Sequence, residues 1–323
     1  MNTYAIFSWP LGLVLDRVLG RVWGLAACAA ALTACGGGSS TTTTAPDPGT
    51  STAGVLCNYA SSVFNDSPSV NATATATWWC SSTLRSLSAN GLPDHAVGEF
   101  PNANNPNTIA AQRVSVSGTL SPSLTSAITA RTGPMVAMGY ALNGIKVDPA
   151  TAGTCDNSGT VCDLARGSGA WNIEALGQSS FNFGTDASNA HVQPGGVYHY
   201  HGIPEGFVSK LNKGTAMTLV GWATDGFPLY ARYGYSTATD AQSAIKVVKA
   251  SYRLKTTPDA NRPSTQLYAM GTFTQDYEYI AGYGDLDECN GRTGVTPEFP
   301  KGIYHYYATD SYPYLQRCVK GKL

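Results

Sequence analysis

The chain has 323 residues, of which only 13% are charged, and its 20 Lys plus Arg stand against 21 Asp plus Glu. So sparse and balanced a charge leaves no basic footprint for nucleic acid. Its eight cysteines include no Cys-x-x-Cys pair, which argues against a thioredoxin-like redox centre and a zinc ribbon.

At the amino end, Arg17 and Arg21 precede an uncharged, mostly apolar run from Val22 to Ala34, closed by Leu32-Thr33-Ala34-Cys35 and Gly36. A charged start, an apolar middle and a small-residue cleavage site predict an export signal over residues 1–34. The run is too short for a bilayer core of about 30 Å, which needs roughly 20 apolar residues. Leu-Thr-Ala-Cys resembles the lipobox of bacterial lipoproteins. That resemblance implies cleavage before Cys35 and acylation of Cys35, so the expected location is the cell envelope, on the outer membrane or the periplasmic face. The expected membrane contact is then the lipid itself. Residues 35–53, with Gly36-Gly37-Gly38-Ser39-Ser40, a threonine run and Ala45-Pro46-Asp47-Pro48-Gly49, read as a flexible tether.

Cys28 leaves with the signal and Cys35 is lipidated, so Cys57, Cys80, Cys155, Cys162, Cys289 and Cys318 remain. An even set in an exported chain suggests three disulfides. Proximity along the chain favours Cys57 with Cys80, Cys155 with Cys162 and Cys289 with Cys318, other pairings staying open.

Residues 54–170 are rich in Ser, Thr, Ala and Asn, with half-exposed strand patterns such as Arg113 to Ser117 and room for one short helix over Ser121 to Arg131. Residues 171–323 form a second region, separate from or continuous with the first. From Phe181 onward lie 15 of the 18 tyrosines and four of the five histidines, so any chemistry is expected there. Strand-like runs recur at Val197 to His201, Ala216 to Ala223, Leu229 to Tyr235, Thr272 to Ala281 and Ile303 to Thr309. The segment Asp240 to Ser251 is read as a helix packed on the sheet. The predicted fold class is mainly β, sandwich-like, with minor helices, stabilised by disulfides.

The most specific feature is Gly195-Gly196-Val197-Tyr198-His199-Tyr200-His201-Gly202, echoed by Lys301-Gly302-Ile303-Tyr304-His305-Tyr306-Tyr307. Such an echo suggests two similar strands. Side chains alternate along a strand, so His199 and His201 share one face while Tyr198 and Tyr200 share the other. Two imidazoles on one face suit a transition metal, and His305 supplies a third nitrogen if the second strand pairs beside the first. The competing reading is an aromatic core in which the imidazoles hydrogen-bond tyrosine hydroxyls.

These blocks, with Gly221-Trp222-Ala223-Thr224-Asp225-Gly226-Phe227-Pro228-Leu229-Tyr230 and Asp285-Leu286-Asp287-Glu288-Cys289-Asn290-Gly291-Arg292, resemble the bacterial YHYH-domain family from about Trp171 to Gly321. The resemblance brings no settled activity. The second copy carries Tyr307 where the first has His201.

His191 is a further candidate ligand, in a turn-like stretch ahead of the motif; His95 reads as a surface residue. Asp225 is a candidate general base or ligand, although Asp-Gly before Phe-Pro also makes an ordinary turn. Asp285, Asp287 and Glu288 depart from the EF-hand spacing, which weighs against calcium and leaves a turn around Cys289. The expected cofactor is copper or zinc. No Gly-x-Ser-x-Gly, His-Glu-x-x-His, phosphate loop or dinucleotide fingerprint occurs. The functions in play are therefore metal binding by an exported, lipid-anchored protein, a metal-dependent oxidative or hydrolytic enzyme, and an adhesion module contacting carbohydrate through exposed tyrosines. The small-molecule or polysaccharide partner is not specified by the sequence.

Overall fold

The computed structural model describes residues 57–131 and 136–323. The export signal, Cys35 and the tether lie outside the described residues.

The amino-terminal strands are β1 (Ala60–Asn65), β2 (Ala72–Cys80), β3 (Leu84–Ala89) and β4 (Val114–Thr119), paired antiparallel in that order. In β2 the sequence ATATATWWC buries Ala74, Ala76 and Trp78 and turns the alternate residues outward. That is the period of two expected of a half-buried strand. The helix anticipated over Ser121 to Arg131 is instead β5 (Leu124–Ala130). Its threonines and β-branched Ile128 suit an extended chain better than a helix, and it finds a partner strand at the far end of the protein.

Next come β6 (Gly139–Ala141) and β7 (Lys146–Val147), then β8 (Thr154–Cys155), β9 (Cys162–Asp163) and β10 (Trp171–Asn172), which form a small sheet of their own. A hairpin follows, β11 (Ala190–Gln193) with β12 (Val197–Tyr200), and then one short helix, α1 (Glu205–Leu211). The carboxy-terminal part contains β13 (Thr218–Ala223), β14 (Pro228–Ala231), β15 (Tyr233–Tyr235), β16 (Ile245–Val247), β17 (Tyr252–Leu254), β18 (Tyr277–Tyr279), β19 (Gly291–Gly294), β20 (Ile303–Ala308) and β21 (Cys318–Gly321). Strand β21 is the partner of β5.

Two expectations over this stretch need correction. Asp240 to Ser251 is no helix: Ile245 and Val247 stand exposed on β16, which pairs with β15, while Val248 and Ala250 are buried beyond it. An apolar run too short for three helical turns was free to alternate instead. The run from Leu229 to Tyr235 is broken at Arg232, whose φ of 56° turns the chain between β14 and β15.

The centre of the fold is one eight-stranded sheet in the order β11-β12-β7-β6-β13-β14-β20-β19. All residues of β13 and β14 are buried, as expected of central strands covered on both faces. The four-stranded sheet lies against this one: Ala76, Trp78 and Leu87 join a core with Leu142, Leu219 and Tyr306, and the Trp78 indole N–H donates to the Leu142 carbonyl at 2.9 Å. The fold is mainly β with several sheets. All three disulfides form as proximity along the chain favoured, Cys57–Cys80, Cys155–Cys162 and Cys289–Cys318. Among the described residues, no helix is long and apolar enough to cross a membrane.

Candidate metal centre

The β11–β12 hairpin turns through Pro194-Gly195-Gly196, with both glycines in the left-handed region at φ 91° and 81°. A side chain on Gly196 would also strike Ala110, so glycine at this position fixes the turn and with it the register. That register sets His191 opposite His199 and Ala190 opposite Tyr200. His201 follows His199 on the same face.

Three imidazoles therefore meet. Their ring centroids are 4.7 Å (His191 to His199), 4.6 Å (His191 to His201) and 4.7 Å (His199 to His201) apart. One ligand atom from each lies within 4.8 Å of the others. Each Nδ1 faces a backbone carbonyl: His191 that of Phe183 at 2.9 Å, His199 that of Val197 at 3.1 Å and His201 that of Pro149 at 3.4 Å. A carbonyl only accepts, so Nδ1 carries the proton and each neutral ring keeps its lone pair on Nε2. This is the outer bonding that orients histidines around a metal.

The Nε2 atoms of His191 and His201 lie only 3.0 Å apart. Two lone pairs at that distance repel unless a cation stands between them. The environment disfavours a proton there, since burial first, and then neighbouring imidazoles or Lys146, holds all three rings below the ordinary histidine pKa. His199 and His201 are buried at 3% and 1% exposure, while His191, on the sheet's edge strand, is half-buried. His191 is thus the most exposed member of the triad.

Sequence reasoning missed the residues beside the triad. Lys146 of β7 is in register with His199 across the parallel pair, and its Nζ donates to Asp148 and to Gln193, both at 2.7 Å. The second oxygen of Asp148, Oδ1, is buried with no hydrogen-bond partner. Burial raises the Asp148 pKa, with Lys146 opposing it. The alternation Ile145-Lys146-Val147-Asp148 was the available signal, two charged residues on one face of an otherwise apolar strand.

His305 does not join the triad. It sits on β20, which in the sheet is separated from β12 by β7, β6, β13 and β14. Five strand spacings amount to roughly 24 Å. Its Nδ1 donates to the Ile303 carbonyl at 2.9 Å and its Nε2 meets the Tyr307 hydroxyl at 3.1 Å. The two motif strands run antiparallel in one sheet without being neighbours, because β7, β6, β13 and β14 come between them and sequence similarity carries no information on strand order.

Asp225 lies in the turn between β13 and β14, fully buried, and accepts the Tyr306 hydroxyl at 2.6 Å and the backbone N–H groups of Gly321 at 2.9 Å and Phe227 at 3.3 Å. Its role is to tie β20 and β21 to that turn; it is not grouped with the imidazoles. His95 is buried at 8% exposure rather than on the surface, its Nε2 2.6 Å from the Tyr200 hydroxyl. Asp287 accepts the N–H groups of Cys289 and Gly291 at 3.0 and 3.1 Å, and Asp285 pairs with Lys246. Those acids shape a turn beside the disulfide.

Behind the triad, on the opposite face of β12, Tyr198 donates to Asp186 at 2.7 Å and Tyr200 is bonded by Asn143 at 3.0 Å. Tyr198, Tyr200, Tyr304 and Tyr306 are all buried. They offer no stacking surface to a carbohydrate.

No curated protein and no solved structure matches the chain. A family model described as "YHYH protein" does match, over residues 115–321. It takes in both copies of the Tyr-His-Tyr motif, all three imidazoles of the triad and the whole central sheet, and the chain belongs to the YHYH protein family.

Proposed function

We propose that the protein is an exported, lipid-anchored binder of a transition metal, with His191, His199 and His201 as the ligands. The observation that carries this reading is the convergence of the rings: one nitrogen of each within 4.8 Å of the others, each ring held by a carbonyl on Nδ1, and the Nε2 atoms of His191 and His201 3.0 Å apart. Metal–nitrogen bonds of about 2.0–2.1 Å require such close nitrogens. Three neutral nitrogens leave a fourth position for water or a small ligand, a set that both zinc and copper accept. Burial of His199 and His201 favours holding an ion over turning over a large substrate. The disulfides fit an oxidising compartment outside the cytoplasm, and acylation of Cys35 would hold the protein at the membrane.

Two measurements test this. Protein exported to the periplasm is expected to carry about one equivalent of zinc or copper per chain, and His199→Ala less than a tenth of that, while His305→Ala keeps the full amount. Equal metal in the wild type and His199→Ala overturns the reading. For the anchor, labelled palmitate is expected in the wild type and absent from Cys35→Ser; label in neither removes the lipid from the proposal.

A further inference from the structure

The eight-stranded sheet divides into two halves that repeat each other bond by bond. In the first, Gly139-Tyr140-Ala141 turns at Gly144 into Lys146-Val147; in the second, Gly221-Trp222-Ala223 turns at Gly226 into Pro228-Leu229. Both turns close with the same bonds. Ala141 N–H donates to Ile145 and Gly144 N–H to Ala141 in one, Ala223 N–H to Phe227 and Gly226 N–H to Ala223 in the other. Strand β7 runs parallel to β12 as β14 does to β20.

The hairpins agree equally well. Ala190 faces Tyr200 as Gly291 faces Tyr306, and His191 faces His199 as Arg292 faces His305. Asn189 and Asn290, both left-handed at φ 55° and 60°, accept the N–H groups of His201 and Tyr307 at 2.8 and 2.9 Å. Even the side-chain bonds recur: Tyr198 donates to Asp186 and Tyr304 to Asp287, while Tyr200 bonds Asn143 and Tyr306 bonds Asp225. The halves meet antiparallel at β6 and β13, with Tyr140 opposite its counterpart Trp222 and Gly139 opposite Ala223. That is the arrangement of a two-fold relation.

This correspondence assigns each triad member a counterpart: His199 that of His305, His191 that of Arg292 and His201 that of Tyr307. There the Arg292 Nη2 donates to the Tyr307 hydroxyl at 3.2 Å and to the Tyr235 carbonyl at 2.8 Å, and His305 Nε2 meets the same hydroxyl at 3.1 Å. The guanidinium is a cation with five N–H donors and no acceptor, so it stands where a metal ion would need ligands.

We infer that the domain is an internal duplication whose second half retains the frame of a three-histidine metal centre, closed by Arg292 and Tyr307 and reopened by restoring histidine at both positions. The polar neighbours point the same way. Lys146, Asp148 and Gln193 beside the triad correspond to Pro228, Tyr230 and Gly294 in the second half. The backbone frame forms equally with proline, tyrosine and glycine at those positions, so the Lys146, Asp148 and Gln193 set in the first half serves the triad and not the fold.

This inference rests on the proposed role of the triad, and reciprocal exchanges separate the two. Zinc alone is titrated into metal-free protein, with cobalt absorption as a second readout of imidazole ligation. The variant Arg292→His with Tyr307→His is expected to bind one equivalent more than the wild type. The reverse exchange, His191→Arg with His201→Tyr, is expected to fold with all disulfides intact and bind one equivalent less. A folded forward variant with no added zinc overturns the inference. Should the forward variant not fold, the reverse exchange decides, and its failure to fold or its retention of wild-type zinc overturns the inference. The wild-type stoichiometry alone judges the triad, whereas the difference between variant and wild type judges the duplication.

Discussion

His305 is the histidine that both halves keep, yet its neighbours are Arg292 and Tyr307 where those of His199 are His191 and His201. Fully buried, its imidazole is pushed down to about 4 from the ordinary 6.5, by burial first, with the Arg292 guanidinium adding to it. In the unfolded chain the ring titrates near 6.5, so below that pH the unfolded state takes up a proton that the folded state refuses. The native state therefore keeps its full stability above about pH 6.5 and loses it progressively as the pH falls towards 4. The loss amounts to about 3 kcal/mol for this one group. Urea unfolding of metal-free protein between pH 7 and 4 is expected to show a shallower decline for His305→Gln than for the wild type; an unchanged slope contradicts the burial argument.

At the level of the element, what was legible in the sequence was what is local. Gly-Val-Tyr-His-Tyr-His marks β12 because alternation is a property of the strand itself, and the near-neighbour disulfides followed from short loops. His191 entered as a candidate ligand, but its pairing with His199 depends on the register set by Gly195 and Gly196, which composition does not encode. His305 was assigned to the wrong cluster because strand order arises from long-range packing. Asp225 illustrates the same limit: an acid in an Asp-Gly turn looks available for catalysis until the chain folds and Tyr306 and Gly321 arrive from far along the sequence. Replacing it strands those donors in the core. Asp225→Ala is expected to lower stability by about 3 kcal/mol, Asp225→Asn by less, because each orphaned buried donor costs about 1–3 kcal/mol. Both variants are expected to retain wild-type zinc binding; loss of zinc at unchanged fold would return Asp225 to the metal centre.

Across the whole molecule, the Cys289–Cys318 bridge joins the hairpin of the second half to β21, the strand that pairs with β5. The first half has Ser188 where the second has Cys289, each N–H donating to the equivalent aspartate, Asp186 or Asp287. The turn thus forms without a disulfide, and the bridge serves the longer connection to the carboxy-terminal strand. Its cysteines are 29 residues apart, against 7 for Cys155–Cys162. Loop-closure entropy grows with the logarithm of that separation, giving roughly 3.6 kcal/mol for the long loop and roughly 2.5 kcal/mol for the short one. Removing Cys289 and Cys318 together, as a double Ala variant, is therefore expected to lower the urea midpoint more than removing Cys155 and Cys162. Since neither bridge touches the edge hairpin that carries the three imidazoles, zinc stoichiometry is expected to survive both changes wherever the protein stays folded. Equal losses from the two variants would mean that strand docking outweighs chain entropy here, and loss of zinc with the long bridge would show the two halves of the sheet to be coupled.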